Sequence, residues 1–118
     1  MAIHSKDLPE ALKRIAAELA AQTGMLNLSG LQISELPPEL GCLTSLQELN
    51  CSGTKVSDLK PLRGLAVLQN LTCRNTGVSD LEPLQGMTSL QNLNCHSTQV
   101  SSLEPLRGLT SLQSLNCH

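Results

Sequence analysis

Four of the five cysteines, Cys51, Cys73, Cys95 and Cys117, recur at a constant interval of 22 residues. His96 and His118 each directly follow one of them. Thiolates and imidazoles are the usual ligands of zinc, and clustered thiols support redox chemistry. The spacing points away from both. No Cys-x-x-Cys occurs, and one thiol per repeat makes a regular column without the convergence of a tetrahedral site. Neighbours in a strand point to opposite faces, so inward cysteines leave the histidines outward. The four column cysteines are therefore read as small hydrophobes in inward slots. They are expected to be reduced thiols, and five cysteines cannot all pair within one chain. Cys42 lies off the column and is expected to be the most reactive. Thr54, Thr76 and Thr98 also recur, but no Ser or Thr has a sequence context that implies an activating base. They are read as side chains that satisfy the backbone of a narrow turn. No catalytic residue, cofactor or metal is expected.

The elements that must position these residues are copies of one unit. Segments beginning at Leu43, Leu65, Met87 and Leu109 share an apolar-x-x-Leu-Gln-x-Leu-x-Cys block, followed in the complete copies by Thr-x-Val-Ser, Leu-x-Pro-Leu and Gly. A period near 22 residues implies a solenoid, whose units fold only by stacking on one another. Alternation around Leu49–Cys51, Leu71–Cys73, Leu93–Cys95 and Leu115–Cys117 predicts short strands. The Pro-containing segments, such as Ser57-Asp58-Leu59-Lys60-Pro61-Leu62, cannot sit in a central strand and are expected to form 3-10 turns opposite. Residues 26–42 form a divergent first repeat, offset by 23 residues, with Leu26, Leu28, Leu31, Ile33 and Leu36 matching Leu49, Cys51, Thr54, Val56 and Leu59.

Residues 7–21 are predicted to be an amphipathic helix. Asp7 and Glu10 have the spacing of a capping box, Leu8, Leu12, Ile15 and Leu19 make the apolar stripe, and Gly24 is the expected stop. Lys13, Arg14 and Glu18 fall off that stripe. The helix is expected to cover the N-terminal end of the core. The organisation is thus a cap over residues 1–24 and a solenoid over 25–118, with repeats at 26–42, 43–64, 65–86, 87–108 and a partial one at 109–118.

Leu46-x-x-Leu49-x-Cys51-x-x-Thr54-x-Val56 resembles the leucine-rich repeat signature, with Cys in a Leu place and Thr in the Asn place. The repeat length and the Asp58-Leu59-x-Pro61-Leu62 tail are similar to internalin-type repeats. Leu36-Pro37-Pro38-Glu39-Leu40 is similar to bacterial LPX repeats, and the helix with its first repeat resembles the start of Roco-type leucine-rich regions. The resemblance covers residues 7–118. It implies an α/β leucine-rich repeat solenoid, with parallel strands on a concave face, 3-10 turns on the convex side and an N-terminal helical cap. It also implies a non-catalytic protein-interaction module. The contrasting expectations are the recognition arm of a larger enzyme, a Roco-type GTPase or a ubiquitin-ligase effector, and a self-assembling scaffold.

Composition narrows the partner. The chain has 118 residues, a formal net charge of −2, and no Phe, Tyr or Trp. It offers no stacking platform and no run of cationic charge, so neither a nucleic acid nor a membrane surface is expected as a partner. No stretch approaches the length of a membrane span, and the first residues lack a signal-peptide pattern. A cytoplasmic setting is the default expectation, with a secreted effector as the alternative. A protein or peptide is expected on the concave face, at Glu48, Asn50, Asn70, Thr72, Arg74, Asn92, Asn94, His96 and Asn116. Asn27, Ser29, Ser52, Ser114 and His118 are expected on the same face. Asp58 and Asp80 (Ser102 in the next copy), Lys60, Glu82 and Glu104, and Arg63, Gln85 and Arg107 form exposed columns, read as solvated-face features. The last strand, with Leu112, Leu115 and Cys117, reads as an uncapped edge, for which two expectations compete: a fragment of a longer repeat protein, or pairing of the edge with a second copy in a homodimer.

Overall fold

The computed structural model describes residues 6–117. Helix α1 spans Leu8–Ala21. Five three-residue strands follow: β1 Met25–Asn27, β2 Glu48–Asn50, β3 Asn70–Thr72, β4 Asn92–Asn94 and β5 Ser114–Asn116. They form one parallel sheet in sequence order. Between them, 3-10 turns at Pro38–Cys42, Lys60–Leu62, Glu82–Leu84 and Glu104–Leu106 run along the opposite side. Proline opens or immediately follows the start of each turn, where its missing N–H is harmless.

The strands pair with the expected register. Leu26, Leu49, Leu71, Leu93 and Leu115 lie side by side. The first four of these, with Cys51, Cys73 and Cys95 and with leucines of the 3-10 side, make one aliphatic core, which Leu115 does not join. Full burial of each such leucine stabilises by roughly 1.5–3 kcal/mol, so the missing aromatics are replaced by repetition. The narrow turn after each strand is closed by threonine. The hydroxyl of Thr54 donates to Cys51 O at 2.8 Å, Thr76 to Cys73 O at 2.8 Å and Thr98 to Cys95 O at 2.7 Å. Thr54 and Thr76 are buried, and their oxygens accept the Val56 and Val78 N–H groups. The same turn requires a left-handed residue. Gly53 holds that position in one repeat with φ 72°, and Asn75 and Ser97 hold it in the next two with φ 54° and 60°.

Helix α1 packs on β1 and on the turn at Pro38–Cys42, but with a different face from the predicted one. Ala11, Ile15 and Glu18 are the buried residues, whereas Leu8 and Leu12 are half-buried and Leu19 is exposed. Glu18 draws the helix round: its carboxylate accepts the Gly24 N–H at 2.7 Å and the Thr23 hydroxyl at 2.5 Å. The methyl of Ala11 then allows the helix to approach closely. The capping box is also corrected. Asp7 is the N-cap residue but makes no side-chain cap. Its Oδ2 accepts the Gln32 N–H at 2.7 Å, tying the helix start to the first repeat, while Glu10 pairs with Arg14 at 2.9 Å. The helix ends at Gln22, which takes the left-handed conformation as the C-cap two residues before Gly24, whose φ is also positive.

Candidate functional site: the concave strand face

Strand alternation sends two columns of side chains out of the sheet. One is Met25, Glu48, Asn70, Asn92 and Ser114; the other is Asn27, Asn50, Thr72, Asn94 and Asn116. Ser29, Ser52, Arg74 and His96 follow at the strand ends. Asn50, Asn70, Thr72, Asn94 and His96 are half-buried, while Glu48, Arg74, Asn92 and Asn116 are exposed. His118 lies outside the described residues.

Hydrogen bonds order this face. In the first column, Asn70 Nδ2 donates to Glu48 Oε1 at 3.3 Å, and Asn92 Nδ2 donates to Asn70 Oδ1. In the second, the amide oxygens turn back on the chain. Asn50 Oδ1 accepts the Ser52 N–H at 3.0 Å, and Asn94 Oδ1 accepts the His96 N–H at 3.2 Å. Asn27 does the same for Ser29 at 2.9 Å. Thr72 interrupts the series, and the Arg74 N–H instead donates to the Ser52 hydroxyl at 3.1 Å. These asparagines therefore close the strand ends as well as forming the surface.

A shallow depression of about 320 Å³ lies over the first three strands, lined by Met25, Asn27, Glu48, Asn50, Asn70 and Thr72 among others. Met25 is 59% exposed and is the apolar side chain that sequence reasoning missed on this face. The signal was present, since Met25 stands one residue before Leu26 as Glu48 stands before Leu49. Methionine is an adaptable contact side chain.

The cysteines divide into three environments. Cys51 and Cys73 are buried thiols. Burial pushes both thiols up, Cys73 to about 12, so neither supplies a thiolate near neutral pH. Cys42 is an exposed thiol. Cys95 and Cys117 are joined as a disulfide, which corrects the expectation of reduced thiols throughout the column. In-register neighbours put their Cα atoms 4.6 Å apart, within the span that a disulfide bridges. Among the described residues no group of three or more His, Cys, Asp or Glu side chains is placed to hold a metal. His96 is half-buried beside the disulfide.

The convex columns also do more than face solvent. Asp58 Oδ1 and Asp80 Oδ1 accept the Lys60 and Glu82 N–H groups at 2.8 Å, and Ser102 Oγ accepts the Glu104 N–H at 3.2 Å. Each side chain sets the entry to a 3-10 turn. Arg63 pairs with Glu82 of the next repeat, and Arg107 with Glu104 of its own. At the C-terminal end, Leu112 and Cys117 are half-buried, and Leu103 and Leu115 are exposed.

Among the described residues no helix is long and apolar enough to cross a membrane. Compared with known proteins, the chain matches the family described as Leucine Rich repeats (2 copies) over residues 25–64 and 67–108. None of the curated proteins matches it. An internalin, inlF, from Listeria monocytogenes superposes with a TM-score of 0.83 at 28% identity, covering 95% of this chain and 36% of that one. Internalin C2 from the same organism gives a TM-score of 0.69 at 30% identity over 71% of this chain and 37% of that one. The chain thus spans little more than a third of either internalin. The matched repeats fill most of the sequence, and the chain belongs to the leucine-rich repeat proteins, with a fold similar to that of the two Listeria internalins.

Proposed function

We propose that this chain is a non-catalytic module that binds a protein or peptide through its strand face, using Glu48, Asn50, Asn70, Thr72, Arg74, Asn92, Asn94, His96 and Asn116. The leucine-rich repeat family and the internalin-like neighbours support a protein-interaction module in general. The observation that carries the choice of face is the pair of polar columns standing outward from a single five-stranded sheet whose inward column is leucine. The test is a pull-down comparing the wild type with the Arg74→Glu, Asn94→Arg double variant. A partner retained by the wild type and lost by the variant is the expected outcome; equal retention by both places the contact elsewhere.

A second reading is self-association at β5, favoured by the exposure of Leu103 and Leu115. Light scattering across a concentration series measures it, and a strictly monomeric species at high concentration sinks it. For the compartment, two buried thiols suit the cytoplasm, whereas the Cys95–Cys117 disulfide suits secretion into oxidising surroundings. A free-thiol count on protein isolated under alkylating conditions separates them.

A further inference from the structure

The bonds that close the strand ends also decide which end of each asparagine faces a partner. A backbone N–H can only donate, so the amide atom turned to it is the oxygen. Asn27, Asn50 and Asn94 each spend Oδ1 in this way. Their Nδ2 groups, with two hydrogens apiece, are left for the solvent side. Thr72 puts a hydroxyl in the same column, and Arg74 stands exposed two residues further along the chain. Among the described residues the Arg74 guanidinium is in no ion pair. Glu48, the carboxylate on this face, lies in the other column and already accepts from Asn70. The strip from Asn50 to Asn94 is therefore rich in donors, carries one unpaired cation and has the Asn50 and Asn94 amide oxygens occupied by backbone N–H groups.

We propose that this strip takes an acidic peptide segment in extended conformation, with one Asp or Glu carboxylate on Arg74 and the peptide's backbone carbonyls on the flanking Nδ2 groups of Asn50 and Asn94, which stand one strand to either side. The proposal rests on the strand face being the binding surface and adds the chemistry of the partner. Geometry limits it to one carboxylate at a time. Neighbouring strands are about 4.8 Å apart, whereas same-face side chains of an extended peptide advance about 6.6–6.8 Å, so a ligand crossing the strands drifts out of step after one contact. Polyacidic sequence gains little over a single well-placed acidic residue.

The test is a nuclear magnetic resonance titration of the isotope-labelled protein with three octapeptides, acetyl-(Ser-Glu)4-amide and its Gln and Lys counterparts. The Glu peptide is expected to shift the Asn50 and Asn94 side-chain NH2 and Arg74 Nε–H resonances saturably. Its affinity should exceed that of the Gln peptide by about fivefold, the upper end for one exposed ion pair. Arg74→Gln should erase that advantage while the core resonances stay in place. Equal binding of the Glu and Gln peptides overturns the proposal, as does absence of any shift on the strip. Preference for the Lys peptide, with shifts around Glu48, overturns it while leaving the strand face as the binding surface. Shifts confined to the 3-10 side count against both.

Discussion

The two ends of the sheet are built from similar strands and finished differently. At β1, helix α1 lies over the core, and Arg14 Nη1 donates to Asn27 O at 2.9 Å, occupying a carbonyl of the first strand. At β5 the described residues supply no such cover. The consequence is visible in one column: Leu93 is 1% exposed, and Leu115, its neighbour in register, is 41% exposed. The same side chain in the same local sequence is core or surface according to what stacks on it. In a solenoid, burial is a property of position in the stack rather than of the residue.

The largest test of this contrast is a matched pair of truncations. Leu93→Ala should cost about 2–5 kcal/mol, because it leaves a cavity between two repeats. Leu115→Ala should cost well under 1 kcal/mol. Chemical denaturation of the two variants reads the difference, and similar losses would mean that the C-terminal end is covered in solution. Next comes the covalent tie. Cys117→Ser removes the link between the last two repeats and should cost up to about 3 kcal/mol, the scale for a loop of this length. Adding a thiol reductant should lower the wild-type melting temperature towards that of the variant and leave the variant unmoved. At the covered end, Glu18→Ala strips a buried acceptor from the Gly24 N–H and the Thr23 hydroxyl, and should cost about 1–3 kcal/mol. Hydrogen exchange at Gly24 locates that loss. The smallest effect is a gain near the open end. Ser97 has φ 60° where an earlier repeat has glycine, so Ser97→Gly should stabilise by up to about 1 kcal/mol, measured as an upward shift of the melting temperature.

The repeat register was readable because every copy places the same residue types at the same interval, and strand pairing has to respect that interval. Leu26 against Leu49, across the irregular first repeat, followed from the apolar matches alone. The threonine turns followed from their recurrence. The helix face did not. A stripe of four large apolar residues was the stronger pattern in sequence, but Glu18 has backbone and hydroxyl donors near it only after the chain turns back at Gly24. The disulfide was hidden for a similar reason: four cysteines share one spacing, and only the three-dimensional placement of Cys117 distinguishes it from Cys51. On the strand face the positions were legible, but the inward turn of the Asn50 and Asn94 oxygens was not, because it depends on local backbone direction.

The sheet order also has a mechanical meaning. Every ladder bond joins adjacent repeats, so tension applied at β5 meets one strand pair at a time. A chain pulled from that end should yield in successive steps, each releasing one 22-residue repeat, or roughly 75 Å of contour. The Cys95–Cys117 bond spans one such step. While it holds, the outermost repeat cannot pay out its length, and the first extension recorded in a force experiment should be shorter than after reduction.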